Sequence, residues 1–289
     1  MPWQLLMLFQ NLLSASFALL SRQINKKIKG AHFQVIAVVF TVIILFGLFF
    51  SIPRGGFQPK YLIENLELFI FAGVCFGLTN IASYKVFQYL DAGIATILST
   101  LNTLAAVVIA TLFIDEGLTL RQAIGAFVLM TGIWLIMSIH LRKYEKNRWL
   151  IGLALSIAAA VFFGFATTTE KHLLNNMPLP VYILFGWGFQ WLAAMVLSLV
   201  NKYKWRNLIK SPILKSVLLA GLVRSTAGFL FILALVKSNN VSIIAVLSGV
   251  KAIFVVILAD FILKERKYVV KKIQAALLVT AGVAIMLIK

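Results

Sequence analysis

Ten apolar stretches follow one another along this chain, separated by gaps of mostly under a dozen residues. They fall at 2–22, 31–52, 65–88, 92–114, 120–140, 149–171, 180–201, 213–236, 241–263 and 269–288. A helix rises 1.5 Å per residue, so crossing a hydrocarbon core of ~30 Å takes about 20 residues. Inside that core every backbone N–H and C=O must be bonded within the protein, which leaves helices or closed barrels. Unbroken apolar runs of this length select helices. The pattern predicts an all-α integral membrane protein of ten transmembrane helices, with gaps too short for any soluble domain. Composition agrees, since 61% of the 289 residues are hydrophobic and 12% are charged. The first run starts at Pro2 with no basic segment ahead of it and no small-residue cleavage pattern, so a retained helix is expected rather than a signal peptide. All six prolines (2, 53, 59, 178, 180 and 212) sit at or between segment ends. The helices should therefore be mostly unbroken, which argues against a carrier built on unwound mid-membrane helices.

The formal net charge is +18. Nucleic acid is not the expected partner, because the basic residues occupy short gaps between apolar runs, where lipid headgroups account for them. Gaps after the odd-numbered segments contain 19 Lys and Arg, against 6 on the opposite side. Positive-inside logic puts the larger set in the cytoplasm and both termini outside. A reporter active only in the cytoplasm, fused after Lys289, is expected to stay silent; a bright fusion overturns this orientation. The single cysteine, Cys75, lies inside a segment, so neither a disulfide nor a thiolate metal site is expected. His32, His140 and His172 sit at helix ends, without acid–His spacing for a metal. No phosphate-binding Gly-rich loop and no GxSxG elbow occurs, so neither an ATP-driven pump nor an enzyme is expected, and no cofactor.

Two cations lie near the centres of apolar runs: Arg224 in 213–236 and Lys251 in 241–263. A charge there costs roughly 2.5–3.5 kcal/mol on insertion scales and normally faces a bundle interior or a wet cavity. Both point to a site for negatively charged cargo; the bland alternative is a snorkelling lysine and an arginine bonded to backbone carbonyls. All nine acids fall in gaps or end turns of segments, so no protein counter-ion is expected at that depth. Glu170-Lys171-His172 is expected as an interfacial cluster at the end of the sixth helix. Helical spacing places Ser248 and Lys251 on one face of the ninth helix. Further polar residues that a bilayer would turn inward are Gln10, Asn11 and Ser14 in the first segment, Asn80, Ser83 and Tyr84 in the third, and Thr96, Ser99, Thr100, Asn102 and Thr103 in the fourth. Helix–helix hydrogen bonding is their alternative role. Trp187 and Trp191, one turn apart beside Gln190, lie mid-helix and are candidates to stack on a planar solute. Gly73-x-x-x-Gly77 reads as a helix-packing motif.

An internal repeat is visible. IATILSTLNTLAAVVIATLFIDE (94–116) aligns without gaps to IIAVLSGVKAIFVVILADFILKE (243–265) with six identities, among them Leu98/Leu247, Ser99/Ser248, Ala110/Ala259 and Glu116/Glu265. Each copy precedes an apolar helix with a late glycine, Gly132 or Gly282, and Trp3 and Trp149 open the first and sixth helices. Ten helices thus divide into halves near 1–144 and 145–289. Five helices per half, an odd number, force the copies into opposite orientations.

At YKVFQYLDAGIATILSTLN…LFIDEGLTLRQAIGA (84–126) and LALVKSNNVSIIAVLSGVK…FILKERKYVVKKIQAA (233–276) the chain resembles the drug/metabolite transporter superfamily, most closely its ten-helix EamA-type members. The resemblance covers essentially the whole chain. It implies two inverted five-helix repeats around a central cavity that moves small organic solutes by alternating access. Relatives often carry a proline about 14 residues before the Glu; here Asn102 and Lys251 stand at that position. Many relatives are also thought to keep both termini cytoplasmic, against the charge count here.

These features lead to one expectation: a secondary transporter, expected as an exporter, of a small anionic or zwitterionic metabolite such as an amino acid, keto acid or phosphorylated compound. Its substrate-binding residues would be Arg224, Lys251, Ser248, Asn102, Thr103, Ser99, Asn80, Tyr84, Gln10, Trp187 and Trp191. The competing readings are a cationic-drug efflux carrier, which should place an acid at mid-membrane, and a non-transporting scaffold or receptor. Expected partners are the solute and the lipid bilayer, with protons as the candidate coupling ion. The expected setting is a cell membrane, bacterial inner membrane by preference, with the chain a monomer or weak homodimer.

Overall fold

The computed structural model describes residues 2–28, 30–113, 119–140, 146–199, 205–264 and 268–287. Glu116 and Glu265, which close the two copies of the repeat, lie outside the described residues, as does Lys289.

Each of the ten apolar stretches becomes a helix or a pair of consecutive helices. In chain order they are α1 (Trp3–Lys27), α2 (His32–Ser51), a short α3 (Pro59–Glu64), α4 (Leu66–Tyr89), α5 (Ala92–Leu98) with α6 (Leu101–Phe113), α7 (Leu120–His140) and α8 (Lys146–Asn176). After these come α9 (Leu179–Leu199), a short α10 (Trp205–Ile209), α11 (Leu214–Ser238), α12 (Val241–Ser248) with α13 (Lys251–Leu263), and α14 (Val269–Leu287). No strand occurs among the described residues. Among the described residues seven spans are long and apolar enough to cross a membrane: α1, His32–Arg54, α4, α5–α6, Asn147–Asn176, α9 and α11. Across the bundle the outer helix faces suit lipid and not water, with Phe49 in α2 84%, Phe127 and Trp134 in α7 72% and 68%, and Phe261 in α13 76% exposed.

The helices pack as α1 on α11, α4 on α8, α2 on α9, α7 on α14, α4 on α9, α2 on α11, α6 on α8, α1 on α13, α6 on α12 and α5 on α13. Exchanging α1 with α8, α2 with α9, α4 with α11, α5 with α12, α6 with α13 and α7 with α14 carries this set onto itself. The α7–α14 seam shows the same relation at atomic scale. A Cβ on Gly132 would stand 2.9 Å from the Ala275 carbonyl, and one on Gly282 would stand 2.6 Å from the Gly125 carbonyl. Any side chain at either position would push the two backbones apart, so the late glycines are set by helix contact. Gly73 and Gly77 likewise meet Phe189 and Ala193 of α9, which makes that motif a packing seam.

The expectation of mostly unbroken helices fails at two places. The fourth stretch breaks at Ser99–Thr100 and the ninth at Gly249–Val250, matching positions of the repeat within one residue. Neither break needs proline. The backbone tightens to i→i+3 bonds: Thr100 N to Ile97 O at 3.1 Å and Asn102 N to Ser99 O at 3.1 Å, and in the second copy Val250 N to Leu247 O at 3.2 Å and Ala252 N to Gly249 O at 3.0 Å. In the first copy hydroxyls stabilise the tight turn, Ser99 Oγ donating to Thr96 O at 2.7 Å and Thr100 Oγ1 to Ile97 O at 2.6 Å. Polar backbone is tolerated at this depth where it is buried in protein or lines a cavity.

Two apolar clusters close the ends of the bundle. One gathers Ala18 and Leu19 of α1, Phe87 and Leu90 after it, α5, Trp149 at the start of α8, and Val255, Val256 and Ala259 of α13. The opposite end is closed by a smaller group, in which Leu6 and Met7 of α1 meet Ala110, Leu235, Val241 and Ile244. Between them lies the cavity.

Candidate functional site

A cavity of about 170 Å³ opens between the two end clusters, with walls from α1, α2, α4, α5, α6, α8, α9, α11, α12 and α13. Arg224 of α11 and Lys251, the first residue of α13, both reach it. The two charges singled out in the sequence thus line one cavity, although they lie 27 positions apart on different helices. Arg224 Nη2 donates to Asn80 Oδ1 at 3.5 Å, and its guanidinium carbon stands 5.6 Å from the centroid of the Phe17 ring. Asn80 is held for this by its own Nδ2, which donates to Phe76 O at 2.8 Å. No acid lies within ion-pairing distance of Arg224 or Lys251 among the described residues.

Of the other expected binding residues, Ser99, Asn102, Asn80, Gln10, Ser248 and Trp187 line the same cavity. Ser248 and Lys251 do so from two helices rather than from one face, because the α12–α13 break falls between them. Gln10 Nε2 donates to Ser14 Oγ at 2.9 Å. Three expected residues are elsewhere. Thr103 is buried among packed helices; it follows Asn102 in α6, where successive side chains point about 100° apart. Tyr84 is buried in the cluster around α2 and α9. Trp191 turns its indole N–H to Thr41 Oγ1 at 3.1 Å, fastening α9 to α2, so the two tryptophans do not form a shared stacking wall. Trp187 remains, packed against Phe46 at 6.3 Å between ring centroids.

The expected absence of an acid at this depth is overturned by Glu170. Helix α8 runs on to Asn176 because no breaker stands before Pro178, and Leu173 continues its buried face. Glu170 is thereby drawn well inside the helix, 2% exposed, onto the cavity wall. Its Oε1 accepts from the Tyr182 hydroxyl at 2.7 Å, while Oε2 is buried without a hydrogen-bond donor. Glu170 and Arg224 lie within electrostatic reach of one another, as do Arg224 and Lys251. Its neighbour Lys171 points elsewhere, donating to Asn239 Oδ1, so the three-residue motif is not one interfacial cluster. Extending the segment past residue 171 to the breaker at Pro178 would have placed Glu170 inside the helix rather than at its end. Gln190, Ser225, Thr79 and Ser156 also reach the cavity, each from an apolar stretch whose facing is set by packing.

An ion triad that the sequence did not suggest sits at the end closed by the larger cluster. Asp91, in the turn between α4 and α5, is 3.3 Å from Arg22 Nη2 and 3.3 Å from Lys272 Nζ. Arg22 Nη1 also donates to Phe87 O, so α1, the α4–α5 turn and α14 are tied at one point. In the corresponding turn of the other half, between α11 and α12, Lys171 donates instead to an uncharged amide, Asn239 Oδ1. Among the described residues no cluster of His, Cys, Asp and Glu could hold a metal.

Comparison with known proteins agrees with this architecture. The family model described as "EamA-like transporter family" matches twice, over residues 1–138 and 150–288. Among curated proteins no sequence matches the chain. A solved structure described as "Crystal structure of protein" superposes with a TM-score of 0.71 over 98% of this chain and 95% of its own, at 17% sequence identity, a likeness of fold.

Proposed function

The chain belongs to the EamA-like transporter family, and from that premise we propose that this multi-pass membrane transporter is a secondary carrier of a small organic anion or zwitterion. The observation that carries the reading is the pair of cations, Arg224 and Lys251, turned into one cavity with no acid in ion-pairing distance among the described residues. Buried charges are expensive unless a partner completes them. A carboxylate or phosphate from the solute would do so, Arg224 offering a planar fork and Lys251 a compact ammonium. Asn80, Asn102, Ser99 and Ser248 add neutral donors, and Trp187 and Phe17 supply apolar wall.

In this reading residues 1–144 and 145–289 are two inverted five-helix repeats, together ten spans. The twofold family match and the exchange-invariant packing support that division. Alternating access then opens the two end clusters in turn, with the paired breaks in α5–α6 and α12–α13 as pivots. Export from a bacterial cytoplasm, proton coupling and a monomeric or weakly dimeric carrier complete the proposal. Glu170 is the one observation that favours a carrier of cationic drugs. Two positive charges against one negative nonetheless leave the cavity repelling a cation.

Thermal shift of the purified protein tests the choice. Carboxylates are expected to raise the melting temperature, since a ligand at one hundred times its Kd adds about 2.7 kcal/mol to the bound state. Quaternary ammonium compounds should not. Stabilisation by the cations alone would transfer the reading to drug efflux, and no response to either set would favour a scaffold.

A further inference from the structure

We propose that Glu170 sets the valence of the solute, so that the cavity accepts one negative charge and rejects two. This rests on the anion-carrier reading above. The ionisable side chains lining the cavity, among the described residues, are Glu170, Arg224 and Lys251. Their formal sum is one positive charge. Walls that include Phe17, Phe76, Phe163, Trp187 and Phe231 provide little screening, so an imbalance of one unit is felt strongly. A monoanion brings the cavity to neutrality. A dianion leaves it negative, and an uncharged solute leaves it positive.

The geometry gives Glu170 this part rather than that of a direct ligand or a structural ion pair. It is held off from both cations, outside ion-pairing distance, so it leaves their donors open to the solute. Tyr182 of α9 holds Oε1 at 2.7 Å, from a helix other than the two that carry the cations. Oε2 is buried on the cavity wall and accepts no hydrogen bond from the described residues. The carboxylate is thus a fixed internal charge sharing the cavity with the solute.

Two anions built on one ring separate the possibilities: benzoate, with one charge, and phthalate, with two, at a pH where both are fully ionised. The wild-type protein is expected to bind benzoate more tightly than phthalate. Glu170→Gln keeps the size and the hydrogen bond from Tyr182 but removes the charge. It is expected to move the phthalate-to-benzoate affinity ratio by about tenfold or more toward phthalate, the scale of one unit charge acting across a partly screened site. Glu170→Asp keeps the charge and should keep the wild-type order. A wild-type preference for phthalate, or an unchanged ratio in a folded Gln variant, overturns the proposal. The wild-type order decides the matter if the Gln variant does not fold. Arg224→Gln separates this inference from its premise. If that variant binds both anions as the wild type does, or the wild type binds neither, the anion-carrier reading falls and the valence proposal with it. If Arg224→Gln abolishes binding while Glu170→Gln leaves the ratio unchanged, the valence proposal falls alone.

Discussion

Lys251→Met and Arg224→Gln are each expected to abolish anion binding while the protein still inserts, and the two should part company in stability. Removing one member of a buried charge pair typically costs 2–5 kcal/mol of binding, roughly thirty-fold to several-thousand-fold in affinity. In the solute-free protein the effect on stability runs the other way for Lys251, which has no acid in ion-pairing distance among the described residues. Methionine fills a similar volume without a charge to desolvate, so Lys251→Met should melt at or above the wild-type temperature. Arg224 differs because Asn80 accepts from it and Glu170 lies within its field. Its loss leaves the buried carboxylate with less compensation, so Arg224→Gln should melt lower than Lys251→Met. Melting temperature and ligand-induced shift on both variants check the prediction. Loss of stability with the anion response intact in both would show that the cations hold helices rather than cargo.

Asp91→Ala should destabilise the end of the bundle closed by the larger apolar cluster, by about 3 kcal/mol. The lower part of the usual range for breaking a buried pair is appropriate because the Asp91 side chain is 20% exposed, although that of Lys272 is only 3% exposed. Removing the carboxylate brings two cations, Arg22 and Lys272, together without their shared anion, and loosens α1 and α14 from the α4–α5 turn. Asp91→Asn keeps an acceptor of the same shape, and the other half of the protein already uses an amide, Asn239, against Lys171. The Asn variant is therefore expected to lose less. Thermal unfolding in detergent measures both; equal melting temperatures for wild type and Ala variant would show that the triad adds nothing to this end.

Hydropathy located the long helices because a bilayer leaves the backbone no alternative to internal bonding, while the short α3 and α10 lie in gaps that it passed over. It also located Arg224 and Lys251, since a charge in an apolar run is conspicuous without knowledge of its neighbours. What it could not show was facing. Thr103, Tyr84 and Trp191 carry polar groups like residues that do line the cavity, yet the phase of α6, burial against α2 and α9, and an indole bond to Thr41 respectively keep them from it. The breaks themselves were hidden, because the sequence signal for a kink is proline, and here hydroxyls and a glycine permit an i→i+3 turn instead. Glu170 was misread for a related reason: apolar length gives where a helix can cross, but α8 continues past its apolar run, and its last turns take their depth from the helices around them. Sequence thus determined that the chain crosses a membrane and that it buries two positive charges there. Tertiary packing alone decided that those charges share one cavity with one negative charge, because which side of a helix faces inward is set by its neighbours.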